Sequence, residues 1–206
     1  MESVRRWAPD APAISAELIL RLQKYRDPAR APRAVRDIAE LVALEANRLV
    51  APDAALWHGP VSEVSPEGTV TLGERCRLNS RALGRLLRGC AEAYALVLTV
   101  GAAIEERAQA MLEAHLLLEG FLMDTAAWAA LIPLARGVRR QLLDQQRAAG
   151  GSVTHRLAPG FLDWSVAEQA TLLGVFGSTP LPVHVTDSSW MLPAKSISGV
   201  FGIVPR

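Results

Sequence analysis

Cysteine is scarce in this chain. The 206 residues include two, Cys76 and Cys90, with no CxxC pair, and the four histidines (His58, His115, His155, His184) are scattered. This excludes a disulfide framework and leaves no spacing typical of a structural zinc site; the thiols read as small buried apolar residues of a reducing compartment. An excess of charge of one sign is also lacking: 22 basic residues stand against 21 acidic ones, a net charge of +1. A nucleic-acid binder that works by neutralising phosphates is not expected from that balance. The N-terminus carries Glu2, Arg5 and Arg6 and has no apolar core of a signal peptide. The most apolar helical region, Leu116 to Ala135, is interrupted by Glu119, Asp124 and Pro133, so its uncharged stretches fall short of the ~20 residues that span a bilayer. With half of its residues hydrophobic, the chain is expected to be a cytoplasmic globular protein with one buried core and no membrane partner.

Taken in order, residues 1–12 are rich in charge and proline and predict irregular structure. Ile14, Leu18, Ile19 and Leu22 recur at helical spacing, and a second helix is expected from Pro32 or Arg33 to Val50. Ala54–Val61 and Thr69–Leu72 flank Ser65-Pro66-Glu67-Gly68, whose early proline and late glycine predict a β-hairpin. Ser80 has the chemistry of an N-cap for a short helix lined by Leu83, Leu86 and Leu87. Ala93–Val100 is a nearly continuous apolar run closed by Gly101, the pattern of a strand buried on both faces.

From Ala102 to Arg147 the pattern is helical, with breaks or kinks expected at Gly120 and at Pro133/Gly137. Trp128, Leu131, Leu134 and Val138 share a face of that region, and His115 on an apolar face reads as a satisfied core residue. Arg136, Arg139, Arg140 and Arg147 crowd its end, where cations meet the helix dipole favourably; a phosphate site is the alternative. Ser165-Val166-Ala167-Glu168 has the sequence of a capping box, opening a helix through Phe176. Strands are expected at Ser152–Leu157, Val183–Thr186 and Ile197–Val204. Strands and long helices out of βα alternation predict an α+β fold: a single domain over 1–206, with a mixed, mostly antiparallel twisted sheet and long packed helices.

No catalytic signature stands out. Ala194-Lys195-Ser196 lacks the glycines of a P-loop, and no GxSxG accompanies the serines Ser188, Ser196 and Ser198. No paired acid and base and no metal-ligand pattern is identified. The last quarter of the chain is different in texture. In His155-Arg156-Leu157-Ala158-Pro159-Gly160-Phe161 a guanidinium precedes a stiffening proline and a permissive glycine. Such a loop suits a small molecule: Arg156 for a carboxylate, backbone at Ala158 and Gly160 for a flat polar ring, Phe161 for stacking. Spacing alone favours a plainer reading, a strand end turning into the next helix with a solvated Arg156. Met191-Leu192-Pro193 reads as a packed turn, or as a second wall presenting Lys195 and the hydroxyls of Ser196 and Ser198, provided that it folds back beside the Arg156 loop.

Taken together, Arg156-x-Ala158-Pro159-Gly160-Phe161 and Thr186-Asp187-Ser188-x-x-Met191-x-Pro193-x-x-Ser196-Ile197-Ser198-Gly199 resemble the activation domain of vitamin-B12-dependent methionine synthase. The stand-alone proteins of that family are the most similar, with a Gly-aromatic-x-Asp-Trp continuation and a lysine before Ser-x-Ser. The resemblance implies an S-adenosylmethionine (SAM) site made by Arg156, Ala158, Gly160, Phe161, Lys195 and Ser196. Arg156 would hold the methionine carboxylate, and the backbone at Ala158 and Gly160 the adenine. It also implies a role in the reductive methylation of cob(II)alamin, with the cobalamin carried by a corrinoid-binding methionine synthase module and the electron supplied by a flavodoxin or ferredoxin. On this reading the chain positions reactants and contributes no acid–base chemistry. Phe161 departs from the family's usual tyrosine, so any hydroxyl contact to a cobalt-bound water is lost. A docking protein of the same fold that does not use SAM, and an activator of another corrinoid methyltransferase, are the alternatives.

Overall fold

The computed structural model of the chain describes residues 2–74 and 76–205. Its centre is the apolar run anticipated above, strand β5 (Glu92–Thr99), of which every residue after Glu92 is buried. Alternate side chains of a strand leave opposite faces of the sheet. Tyr94, Leu96 and Leu98 accordingly enter one apolar cluster and Ala93, Ala95 and Val97 another. The first cluster is closed by helices α1 (Ala16–Leu22), α2 (Arg33–Leu49), α4 (Ala103–Glu113) and α5 (Leu117–Ala148). The second is closed by the short helices α3 (Arg81–Leu87) and α6 (Gln169–Leu173) and the chain around Leu157 and Trp164.

The remaining strands of the main sheet are β1 (Ser3–Trp7), β2 (Asp53–Val64), β3 (Thr69–Leu72), β4 (Cys76–Asn79), β6 (Ser152–Val153) and β9 (Ser196–Val204). The order is β4-β3-β2-β5-β9-β6, with β1 on β2, and every pairing among the described residues is antiparallel. A separate two-stranded hairpin joins β7 (His184–Val185) to β8 (Met191–Leu192). The fold is α+β, as the pattern of elements implied. The β2–β3 turn is the expected one, with Gly68 at φ +102 donating to the Ser65 carbonyl at 3.2 Å.

Five local expectations are corrected. Ser3–Trp7 is a strand and not irregular, because β2 offers it a free edge from Ala54 to His58; its mostly exposed side chains carry no alternation to read. The long helical region breaks at His115, not at Gly120 or Pro133. His115 takes φ +62, and the amides of His115 and Leu116 return to the carbonyls of Leu112 and Met111 at 3.0 and 2.9 Å. This is a Schellman end built without glycine, and it leaves His115 exposed instead of in the core. Trp128 is 45% exposed, unlike Leu131, Leu134 and Val138. Glu168 does not turn back to cap Ser165. It accepts the Asn79 backbone amide at 2.9 Å and the Trp164 indole at 2.9 Å, while Ser165 accepts the Ala167 amide of a 3₁₀ turn over Val166–Glu168.

Helix α5 runs for 32 residues through Pro133, which lies on the solvent side. By length and composition it could cross a bilayer, yet 56% of its most apolar window is buried within the fold. It is the core helix of the helical layer.

Candidate functional site

Arg156 stands at an irregularity in the edge of the sheet. Ser152 and Val153 pair with Val204 and Ile203, and Leu157 bridges Val200. Between these pairs the three residues 154–156 oppose the two residues 201–202. Such a bulge bends a strand and re-aims its side chains. The Arg156 side chain lies against Gly199, where an added Cβ would sit 2.8 Å from its Cγ, and its Nη1 donates to the Ser198 carbonyl. That carbonyl is its one protein acceptor among the described residues. The guanidinium has five N–H donors. Burial lowers its pKa from the ordinary arginine range, the direction that an arriving carboxylate would reverse.

The next turn is tightly tied. Gly160, at φ +89, donates to the Trp164 carbonyl at 2.8 Å, and the Phe161 amide donates to the Ala158 carbonyl at 3.2 Å. The Ala158 N–H and the Gly160 carbonyl have no protein partner among the described residues. They form a donor and an acceptor two residues apart. Ala158 is buried, whereas Phe161 is 59% exposed and Leu162, at φ +55, is 81% exposed. Behind them Trp164 is buried in the second cluster, and Asp163 reaches across to α3. Its carboxylate accepts the Ser80 hydroxyl and the amides of Arg81 and Ala82 at 2.7, 2.9 and 3.0 Å. The Ser80 hydroxyl and then the Ala82 amide hold the Asp163 carboxyl below its usual range.

β9 brings the second motif alongside the first, with Ser198 and Gly199 meeting Arg156. Lys195 and Ser196, at its start, are satisfied elsewhere. The Lys195 side chain is 13% exposed, and its ammonium lies 2.5 Å from Asp124 of α5 and 5.6 Å from the centre of the Trp128 ring. The Ser196 hydroxyl donates to the Pro193 carbonyl at 2.6 Å. Ser198, buried, shares its hydroxyl with the Gln169 amide group at 2.9 and 3.0 Å. Met191-Leu192 is a strand of the small hairpin and not a turn. Glu105 at the start of α4 fixes the loop before β9 by accepting the amides of Ala194, at 2.8 Å, and Lys195.

These supports act over long range in the sequence: Asp163 and Glu105 on partners more than 80 positions away and Gln169 on one 29 away, so Gln169 and Glu105 carried no readable signal. Asp163 alone could have been singled out, as the acid within the Gly-aromatic-x-Asp-Trp run. A cleft of about 680 Å³ between Arg6, Asp53, Glu105, His184 and Pro193 is lined by none of the six residues of the anticipated site. Among the described residues no group of three acids, histidines or cysteines is placed to hold a metal.

No protein-family model matches the chain, and no curated protein matches it. Among solved structures it is similar to the crystal structure of the MetH reactivation domain bound to AdoHcy, with a TM-score of 0.66 at 15% sequence identity. The likeness covers 98% of this chain and 79% of that one. At that identity the likeness is one of fold, and function has to be argued from the site.

Proposed function

We propose that this chain binds SAM through the Arg156–Phe161 segment and presents it to a corrinoid-binding methionine synthase module, as a reactivation module that works in the cytoplasm. Arg156 carries the reading: a half-buried guanidinium that spends one donor on a backbone carbonyl and keeps the others for a carboxylate. The fold's likeness to a reactivation domain bound to AdoHcy supports the same ligand class.

In this role Arg156 holds the methionine carboxylate. The Ala158 N–H and the Gly160 carbonyl meet the adenine edge, a donor and an acceptor for a base that offers both. Phe161, exposed at the tip of a turn pinned by Asp163, faces the partner. Lys195, paired with Asp124 beside Trp128, and Ser196, bonded to the Pro193 carbonyl, are given no ligand contact in this reading. SAM would supply a methyl group to the cob(I)alamin formed when a flavodoxin or ferredoxin reduces cob(II)alamin by one electron, leaving S-adenosylhomocysteine. The chain itself supplies orientation and needs no acid–base pair.

Calorimetric titration of SAM and of its demethylated product into the purified chain tests this. Saturable binding is expected, weakened about tenfold or more by Arg156→Ala, as loss of a charge-assisted contact requires. An absence of heat and of thermal shift at millimolar SAM would reject SAM binding by the chain. The remaining reading would then be a docking protein, favoured by the exposed Phe161 and Leu162.

A further inference from the structure

A second cleft, of about 470 Å³, lies between α3 and the β2–β3 turn. Its basic wall is Arg81, Arg85 and Arg88, and Val64 and Pro66 line it as well. Arg81 and Arg85, four residues apart, share one side of a short helix, and Arg88 follows as its C-cap in extended backbone. The helix packs closely on the turn: a Cβ at Gly84 would be in ordinary contact with Gly68 Cα at 3.6 Å and Val64 Cγ1 at 3.7 Å. No acid lines the cleft, and among the described residues none of the three arginines is in a salt bridge. Glu67, at the tip of the turn, is held ionised by its own backbone N–H and the Ser65 hydroxyl.

Helix stability does not account for this arrangement. Cations are favourable at a helix C-terminus, which would suit Arg85 and Arg88, but Arg81 is the first helical residue, where the dipole disfavours a positive charge. The chain as a whole is nearly neutral, so the patch is not a sample of a generally basic surface. Three arginines that enter no salt bridge among the described residues and line one concave space match the charge and the geometry of linked phosphates better than those of a single carboxylate.

We propose that this cleft binds a di- or triphosphate group, free or carried on a nucleoside. The proposal is independent of the SAM site. Inorganic tripolyphosphate and ADP, titrated calorimetrically into the full chain at about 0.15 M ionic strength, where the Debye length is about 8 Å, test it. Either probe should bind saturably at one site, and the R85Q R88Q variant should weaken binding by roughly tenfold or more. The R139Q R140Q variant removes the same charge from the exposed end of α5 and should leave affinity within about twofold, since charges beyond a Debye length are screened. Tighter binding of ADP assigns the nucleoside-borne source; tighter binding of tripolyphosphate assigns the bare one. Absence of saturable binding at millimolar probe, or equal losses in the two double variants, overturns the proposal.

Discussion

The Asp163 carboxylate caps helix α3 from outside it, accepting the Ser80 hydroxyl at 2.7 Å across 83 positions of sequence. Ser80 is at once the N-cap of that helix, accepting the Leu83 amide at 3.0 Å. One acid therefore fastens the Phe161 turn to the helix that bears the arginine cleft. Asp163→Ala is expected to lower Tm by a few degrees, since α3 loses its anionic acceptor and the turn its tether.

The pH dependence of that loss follows from the depressed pKa of Asp163. A carboxyl whose folded pKa lies below the unfolded value of about 3.9 stabilises fully above that value and loses its contribution as pH falls through the folded one. Thermal melts of wild type and Asp163→Asn should therefore differ at pH 7 and converge in acid below about pH 4. A Tm difference that persists unchanged at low pH would refute the charge-based account.

Ser198 and Gln169 form a buried pair in the second layer, 3% exposed each. Ser198→Ala leaves the Gln169 amide without its partner and should cost about 1–3 kcal/mol in urea unfolding. Adding Gln169→Leu removes the orphaned group, so the double variant should recover part of that loss. Equal stability of Ser198→Ala and wild type would show that water satisfies Gln169 equally well.

Legibility in the sequence follows the range of the interaction. β5 was readable because burial on both faces makes a continuous apolar run, and the β2–β3 hairpin because Pro66 and Gly68 encode its turn locally. β1 was not readable, since its pairing belongs to the free edge of β2 and its side chains face solvent. The break at His115 was hidden because a left-handed residue other than glycine leaves no compositional mark. In the candidate site, the turn after Arg156 was legible as a loop from its proline and glycine. The bulge that aims Arg156, the attachment of Lys195 to Asp124 and the reach of Asp163 to Ser80 are products of tertiary pairing.

Cys76 gives a chemical check on the second layer. Burial, followed by the charge of Glu168, pushes its thiol up to about 12. Both cysteines are free and buried. A disulfide-exchange reagent at pH 8 should modify neither promptly in the native protein and both in denaturant. Because the folded pKa is raised, stability is full below the unfolded thiol value of about 8.5 and falls as pH rises above it. The urea midpoint should drop between pH 8 and pH 10, and less so in Cys76→Ala.

Two glycines should respond to alanine with opposite signs. Gly199 takes φ +148, and a Cβ there would lie 2.6 Å from the Leu157 carbonyl oxygen and 2.8 Å from Arg156 Cγ. Gly199→Ala must move the Arg156 segment off β9 and strain the backbone, at a cost of about 1–3 kcal/mol. It should also weaken SAM binding as much as Arg156→Ala does. Gly137 lies in the interior of α5, with nothing within 4 Å of the corresponding position. There alanine only removes the conformational freedom of glycine, and Gly137→Ala should stabilise by about 0.5–1 kcal/mol without touching ligand affinity. Urea unfolding and SAM titration of the pair separate the two effects. If Gly199→Ala unfolds at the wild-type midpoint, the close approach of Arg156 to β9 is not a feature of the folded protein. If it is destabilised yet binds SAM normally, the carboxylate anchor lies elsewhere.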